Sequence, residues 1–167
     1  IGKRIGDIAQ AIGMQVIAYQ RHPKPEYECE TMHFVSLEEL FKTADIIALS
    51  TPALGQPIIN AETIGKMKDG VVIINAARGL VVDTQALADA IMAEQIYGAG
   101  LDTIEPEPVP ADSPVLLMPE PYCKRVVLSP HVAGTTKSVF FAAYRNFWNN
   151  VKAVASGERP MNIVNEL

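Results

Sequence analysis

Short apolar runs alternate with amphipathic segments along most of the chain. Apolar residues recur at helical spacing in 2–12, 37–44, 60–67 and 84–94, and again from Thr135 onward. Strand-like runs separate these segments, at 16–19, 45–50, 71–75, 97–101 and 126–128. The alternation predicts an α/β fold in which a parallel, doubly wound sheet lies between two layers of helices.

The run 71–75, VVIIN, is the best candidate for a central strand because it is short, almost wholly apolar and preceded by Asp69-Gly70. Asp83 is expected to cap the helix that follows. Arg78 therefore lies just beyond the carboxyl end of this strand, where open α/β sheets bind their ligands. Its guanidinium group offers a planar fork that suits a carboxylate or a phosphate.

Two more polar residues follow strands in the same way. Glu107 lies in the loop after the run 97–101, and His131 directly follows the run 126–128. In a doubly wound sheet these ends open onto one edge, so the side chains are expected to converge with Arg78. Arg78 would hold the carboxylate of a 2-oxo acid, and His131 would donate a proton to its carbonyl oxygen. Glu107 would orient the imidazole and favour its charged form.

Each of these residues also has an ordinary structural interpretation when it is taken alone. A loop arginine commonly pairs with a surface acid, a loop glutamate is commonly solvated, and a single histidine is commonly structural. Only their joint placement after successive strands favours catalysis. By contrast, His22 and His33 have no acids at metal-ligand spacing, so they are expected to be surface residues.

Composition narrows the class of protein. The 167 residues are 49% hydrophobic, carry a net charge of −5 and contain no apolar run of membrane-spanning length. The basic residues are not clustered, which argues against nucleic acid or an anionic membrane as the partner. Cys29 and Cys123 form no disulfide or metal motif, so we expect no metal and a reducing, cytoplasmic location.

Three motifs resemble the signatures of the D-isomer-specific 2-hydroxyacid dehydrogenases, in order and spacing. They are NAARG at 75–79, GLDTIEPEP at 100–108 and SPHVAG at 129–134. The resemblance implies a Rossmann-type NAD-binding domain, a small 2-hydroxy or 2-oxo acid substrate and a homodimer. It also implies that Arg78, Glu107 and His131 are catalytic, and that Asp102 contacts the nicotinamide carboxamide.

The same resemblance gives a set of cofactor-binding residues. They are Gly2, Gln20, Arg21, Ser50, Thr51, Pro52, Ala76, Ala77, Arg78, Asp102, His131 and Gly134. The family usually has an acid where Gln20 stands, and this acid binds the adenosine ribose. Gln20 does not repel a 2′-phosphate and Arg21 attracts one, so we expect weakened discrimination against NADP. The loop 50–57 is also shorter than in the family.

Gly2 corresponds to the third glycine of the family's G-x-G-x-x-G turn, so the first strand of the fold is expected to precede Ile1. We expect a nucleotide-binding domain over 1–134, lacking that strand. A long helix and tail over 135–167 would return toward a missing substrate domain. Without that domain, the 167 residues are expected to have little dehydrogenase activity.

A second class of function stays open at this point. The same fold can act as a sensor that binds NADH and presents a surface to protein partners without turnover. The presence of Arg78, Glu107 and His131 together favours the enzyme, because a sensor needs no proton donor beside the nicotinamide.

Overall fold

The computed structural model describes residues 1–53 and 55–164, and these form two compact units, Ile1–His131 and a second that starts at Val132. The predicted loop 50–57 and the predicted helix and tail over 135–167 therefore lie partly outside the described residues. The first unit contains helices α1 (Gly2–Ala11), α2 (Leu37–Thr43), α3 (Ala61–Ile64), α4 (Thr84–Met92) and α5 (Pro114–Leu117). Its strands are β1 (Val16–Ala18), β2 (Met32–Phe34), β3 (Ile46–Leu49), β4 (Val71–Asn75), β5 (Ile96–Leu101) and β6 (Val126–Leu128). The second unit contains α6 (Lys137–Ala155).

All strand pairs between these elements are parallel, as predicted, but they form two sheets. Strands β3-β4-β5-β6 make a four-stranded sheet, whereas β1 and β2 pair only with each other. Among the described residues no strand pairs with both β1 and β3, which leaves the two sheets without hydrogen bonds to each other. Strand β2 was not among the predicted runs because His33 interrupts its apolar residues, so it lacks the continuous apolar run of the other strands.

Side-chain caps fix where three helices begin. Ser36 accepts a hydrogen bond from the Glu39 backbone N–H, and Asp83 accepts one from that of Ala86. Asn60 and Thr63 form a reciprocal capping box at the start of α3. The prediction of a helix as far as Met67 was wrong. The N–H groups of Lys66 and Met67 bond three residues back, so the chain tightens into a turn after Ile64.

The core lies on one face of the four-stranded sheet. The side chains of Ile47, Ile73 and Ala99 are in register on this face and are buried beneath α2, α3 and α4. The opposite face carries Ile46 and Ile74, which are 48% and 37% exposed. Both faces are therefore apolar, as expected for the inner sheet of a three-layer fold, but the first unit covers only one of them fully.

The proline-rich segment 105–121, which follows β5, contains the short helix α5. Pro114 occupies the first position of this helix, where its missing N–H costs nothing. Val115 and Met118 are buried in the core. The segment therefore closes one end of the hydrophobic core as well as connecting β5 to β6.

The second unit is organised by the single helix α6, which Thr136 caps. Its aromatic residues are exposed. They are Phe140, Phe141, Tyr144, Phe147 and Trp148. The Asn150 side chain bonds both the N–H and the C=O of Met161 and so attaches the following segment to the helix. No helix among the described residues has both the length and the hydropathy needed to cross a bilayer.

Candidate active site

The carboxyl ends of the four strands of the larger sheet lie in one row. Leu49, Asn75, Leu101 and Leu128 are consecutive partners across β3, β4, β5 and β6. The segments that follow these residues therefore lie side by side along a single edge. They contain Ser50 to Pro52, Ala76 to Arg78, Asp102 and Ser129 to His131, which are most of the residues predicted for the site.

His131 and Glu107 form the predicted pair. The imidazole Nδ1 lies 2.9 Å from Glu107 Oε2, and the two side chains are 49% and 40% exposed. The backbone of His131 has φ +54°, a left-handed conformation that few residues other than glycine adopt. Its N–H donates to the Asp102 carbonyl, which holds this conformation against the end of β5.

A buried side chain shapes the loop that carries Arg78. Asn75 is 1% exposed, and its Oδ1 accepts a hydrogen bond from the Ala77 N–H. Its Nδ2 donates to the carbonyls of Arg78 and Thr103. The carboxamide therefore fixes the backbone of the Arg78 loop and joins it to the end of β5. The guanidinium group itself is exposed and donates to the Ala77 carbonyl at 2.6 Å.

The residue after Arg78 must be a glycine. A Cβ at Gly79 would collide with the Glu105 backbone nitrogen and lie 2.5 Å from the Ile104 carbonyl carbon. The Arg78 loop and the segment leading to Glu107 therefore touch through their backbones. This close approach brings the arginine loop next to the loop of the glutamate.

Asp102 connects the ends of β4, β5 and β6. Its N–H donates to the Asn75 carbonyl, its carbonyl accepts from the His131 N–H, and its Oδ1 accepts from the Ser129 hydroxyl at 2.6 Å. The residue is only 8% exposed, so its carboxylate depends on hydrogen bonds from the protein. Asp102 therefore anchors the start of the His131 loop as well as the end of its own strand.

The other residues predicted to hold the cofactor lie in three places. Gly2 begins α1, and a Cβ built there would lie 3.4 Å from Ser50 Cβ, so this helix starts at the same edge of the sheet. Gln20 and Arg21 follow β1 and are exposed. Gly134 lies in the second unit and is described only within it.

These residues fit a dinucleotide chemically. The N-terminus of α1, a helix of ten residues, offers unpaired N–H groups to a pyrophosphate. The exposed segments after β1 and β3 offer polar groups to an adenosine and a ribose. The end of β5 supplies carbonyl and carboxylate oxygens, which suit a carboxamide donor.

The remaining titratable candidates lie apart from this edge. His22 and His33 are exposed, as predicted. Cys29 and Cys123 are free thiols. Hydrogen bonds from the Thr31 backbone and side chain and from the Gln10 amide hold the pKa of the Cys29 thiol below its usual value. No group of three metal-ligating side chains is found among the residues that the structure describes.

Residue-by-residue reasoning missed three supporting residues, namely Asn75, Gly79 and Ser129. A signal for them was present, because Asn75 and Gly79 lie inside the motif NAARG and Ser129 opens SPHVAG. Their types are those that cap, permit or close tight backbone turns. What each one contacts became evident only in three dimensions.

Comparison with known proteins agrees with this arrangement. Residues 1–133 match the model of the D-isomer specific 2-hydroxyacid dehydrogenase NAD binding domain. The chain is 37% identical over 168 residues to a hydroxypyruvate reductase of Blautia hydrogenotrophica, covering 99% of this chain and 50% of the relative. It is 36% identical over 171 residues to the D-lactate dehydrogenase of Leuconostoc mesenteroides subsp. cremoris, covering 96% and 51% of the two chains.

A solved structure gives the same result. The NAD-complexed D-isomer specific 2-hydroxyacid dehydrogenase from Lactobacillus delbrueckii ssp. bulgaricus superposes with a TM-score of 0.85 at 33% identity. The match covers 99% of this chain and 53% of that chain. The parallel sheet is thus that of a Rossmann fold, in a domain that binds a dinucleotide.

The chain belongs to the D-isomer specific 2-hydroxyacid dehydrogenase family and carries its NAD binding domain. It spans about half the length of the curated relatives it matches.

Proposed function

We propose that the protein interconverts a small 2-oxo acid and the corresponding 2-hydroxy acid with a nicotinamide cofactor. The observation that carries this proposal is the contact between His131 Nδ1 and Glu107 Oε2 beyond the ends of β5 and β6. An imidazole held by a carboxylate on one nitrogen can deliver a proton from the other. Relatives named hydroxypyruvate reductase, D-lactate dehydrogenase and glyoxylate reductase support the substrate class.

The proposed mechanism assigns one task to each side chain. Arg78 binds the substrate carboxylate with its guanidinium fork and so orients the adjacent carbonyl. His131 donates a proton from Nε2 to the carbonyl oxygen, while Glu107 on Nδ1 stabilises the charged imidazole. In the reverse direction, His131 accepts the proton of the hydroxyl group. A bound nicotinamide would supply or accept the hydride.

Turnover can be tested with the protein expressed from its complete open reading frame. NADH oxidation is followed against glyoxylate, hydroxypyruvate, pyruvate and bulkier 2-oxo acids. We expect turnover with at least one of them, and the ranking of kcat/KM identifies the substrate. NADH binding without any turnover across the panel would contradict the proposal and would favour an NADH-sensing role.

We also propose that NADP is accepted alongside NAD. Gln20 removes the negative charge that usually faces a 2′-phosphate, and Arg21 lies next to it. Lys24 adds a second positive charge to the same exposed segment, three residues after Arg21. This local positive charge favours a phosphorylated ribose.

The Gln20→Asp variant tests the cofactor proposal. We expect comparable kcat/KM values for NADH and NADPH in the unmodified protein. The variant should prefer NADH by about a further tenfold or more, because its carboxylate repels the 2′-phosphate and binds the ribose hydroxyls. Gln15→Asp makes the same change before β1, at the opposite edge of the sheet, and should leave the ratio unchanged. An NADH preference above about a hundredfold before substitution would contradict the proposal.

We also propose a homodimer and a cytoplasmic location. The five exposed aromatic residues of α6 form an apolar surface of the kind that protein interfaces cover, which supports a homodimer. Two free cysteines support a reducing, cytoplasmic compartment. We further propose that residues 1–134 act as the nucleotide-binding domain and 135–167 as its connection to a substrate domain.

A further inference from the structure

Ser129 is the first residue beyond β6, and three hydrogen bonds attach it and His131 to the end of β5. The Ser129 N–H donates to the Leu101 carbonyl at 3.0 Å, and the His131 N–H donates to the Asp102 carbonyl at 2.9 Å. The third bond is the only one of these that uses a side chain. It runs from the Ser129 hydroxyl to Asp102 Oδ1 at 2.6 Å.

The orientation of this hydroxyl is informative. Ser129 is exposed, so its hydroxyl could be satisfied by water at no cost. It points instead at Oδ1 of Asp102, a residue that is 8% exposed, and at 2.6 Å this hydrogen bond is short. The bond restrains the rotamer of the Asp102 side chain as well as the start of the loop that carries His131.

His131 is therefore held by residues at the end of β5 and in the segment that follows it. Its backbone rests on Asp102, and its imidazole contacts Glu107, which lies on the segment that follows Asp102. Its φ of +54° is unfavourable for a histidine unless neighbouring contacts impose it. Loss of the Ser129 hydroxyl would remove one restraint on the Asp102 carboxylate and would loosen the segment preceding His131.

We propose that Ser129 is a positioning residue that acts through Asp102. It fixes the carboxylate in the orientation in which that group meets the nicotinamide end of the cofactor, and it holds the adjoining proton donor in place. The inference rests on the proposed function, since it requires a nicotinamide cofactor at this edge of the sheet.

The test compares Ser129→Ala with the conservative variant Ser129→Thr in the protein made from the complete open reading frame. Calorimetry measures the Kd of NAD and, separately, of ADP-ribose, which lacks the nicotinamide ring. We expect Ser129→Ala to weaken NAD about tenfold, as fits loss of a hydrogen bond to a charged group. The Kd of ADP-ribose should stay within about twofold, and Ser129→Thr should restore NAD binding.

Thr43→Ala is the matched control, because it removes an exposed hydroxyl that donates to the Glu39 carbonyl just before β3, at the opposite edge of the sheet. It should change neither Kd. Equal weakening of NAD and ADP-ribose by Ser129→Ala would reveal only general loosening and would overturn the proposal, as would unchanged binding of both. If the unsubstituted protein bound neither NAD nor ADP-ribose, both the role of Ser129 and the proposed function would be wrong. If the unsubstituted protein bound both and Ser129→Ala left that binding unchanged, only the role of Ser129 would be wrong.

Discussion

The His131→Asn variant is expected to reduce 2-oxo acids about 10²- to 10⁴-fold more slowly than the unsubstituted protein, with the Kd of NADH within about twofold. Loss of a positioned general acid has an effect of this size. Asparagine is the appropriate replacement, since it tolerates the left-handed backbone at φ +54° but supplies no ionisable proton. The measurements are steady-state kcat and fluorescence titration of NADH.

His33→Asn is the matched control for this experiment. His33 is an exposed histidine in β2, and within the described residues its side chain contacts no carboxylate. Its substitution should leave kcat within about twofold. If His131→Asn retained more than about a tenth of the original kcat, His131 would not be the proton donor and the mechanism would have to be abandoned.

The location of the candidate site followed from sequence because it depends on local patterns. The bounds of β4 and β6 match the predicted runs 71–75 and 126–128, and Asp83 caps α4 as expected. Once the strands are parallel and adjacent, the residues after them must share an edge. The closeness of Glu107 and His131 is a consequence of that topology, although they are far apart in the chain.

The parts that sequence could not provide depend on contacts between distant backbones. Nothing local indicates that the Asn75 carboxamide would be buried and shared between the carbonyls of Arg78 and Thr103. Helix α5 was not predicted because a proline-rich segment has weak helical periodicity. The burial of Val115 in the core stabilises the helix there. The separation of β1 and β2 from the larger sheet likewise depends on which strands pair with each other, and the strand propensity of the local sequence does not reveal it.

Gly79 shows most clearly how such a contact constrains the site, and Gly79→Ala is expected to be severely damaging. The added methyl group would meet the Glu105 nitrogen and the Ile104 carbonyl carbon, which are backbone atoms that cannot turn aside. The Arg78 loop and the Glu107 segment must then move apart. We expect a loss of about 2–3 kcal/mol in stability from the overpacking. We also expect a fall of about 10²-fold or more in kcat/KM, because catalytic groups displaced by about an ångström lose their alignment.

Urea unfolding and steady-state kinetics measure the two effects, and Gly65→Ala provides the comparison. Gly65 has φ −61°, and a Cβ there meets its nearest neighbours at 3.5 Å, an ordinary contact. This variant should be neutral or slightly stabilising, since alanine restricts the unfolded chain without strain in the folded one. A Gly79→Ala protein with an unchanged unfolding midpoint and normal kcat/KM would show that the two loops can separate freely. The placement of the Arg78 loop beside the segment that leads to Glu107 would then not depend on this backbone contact.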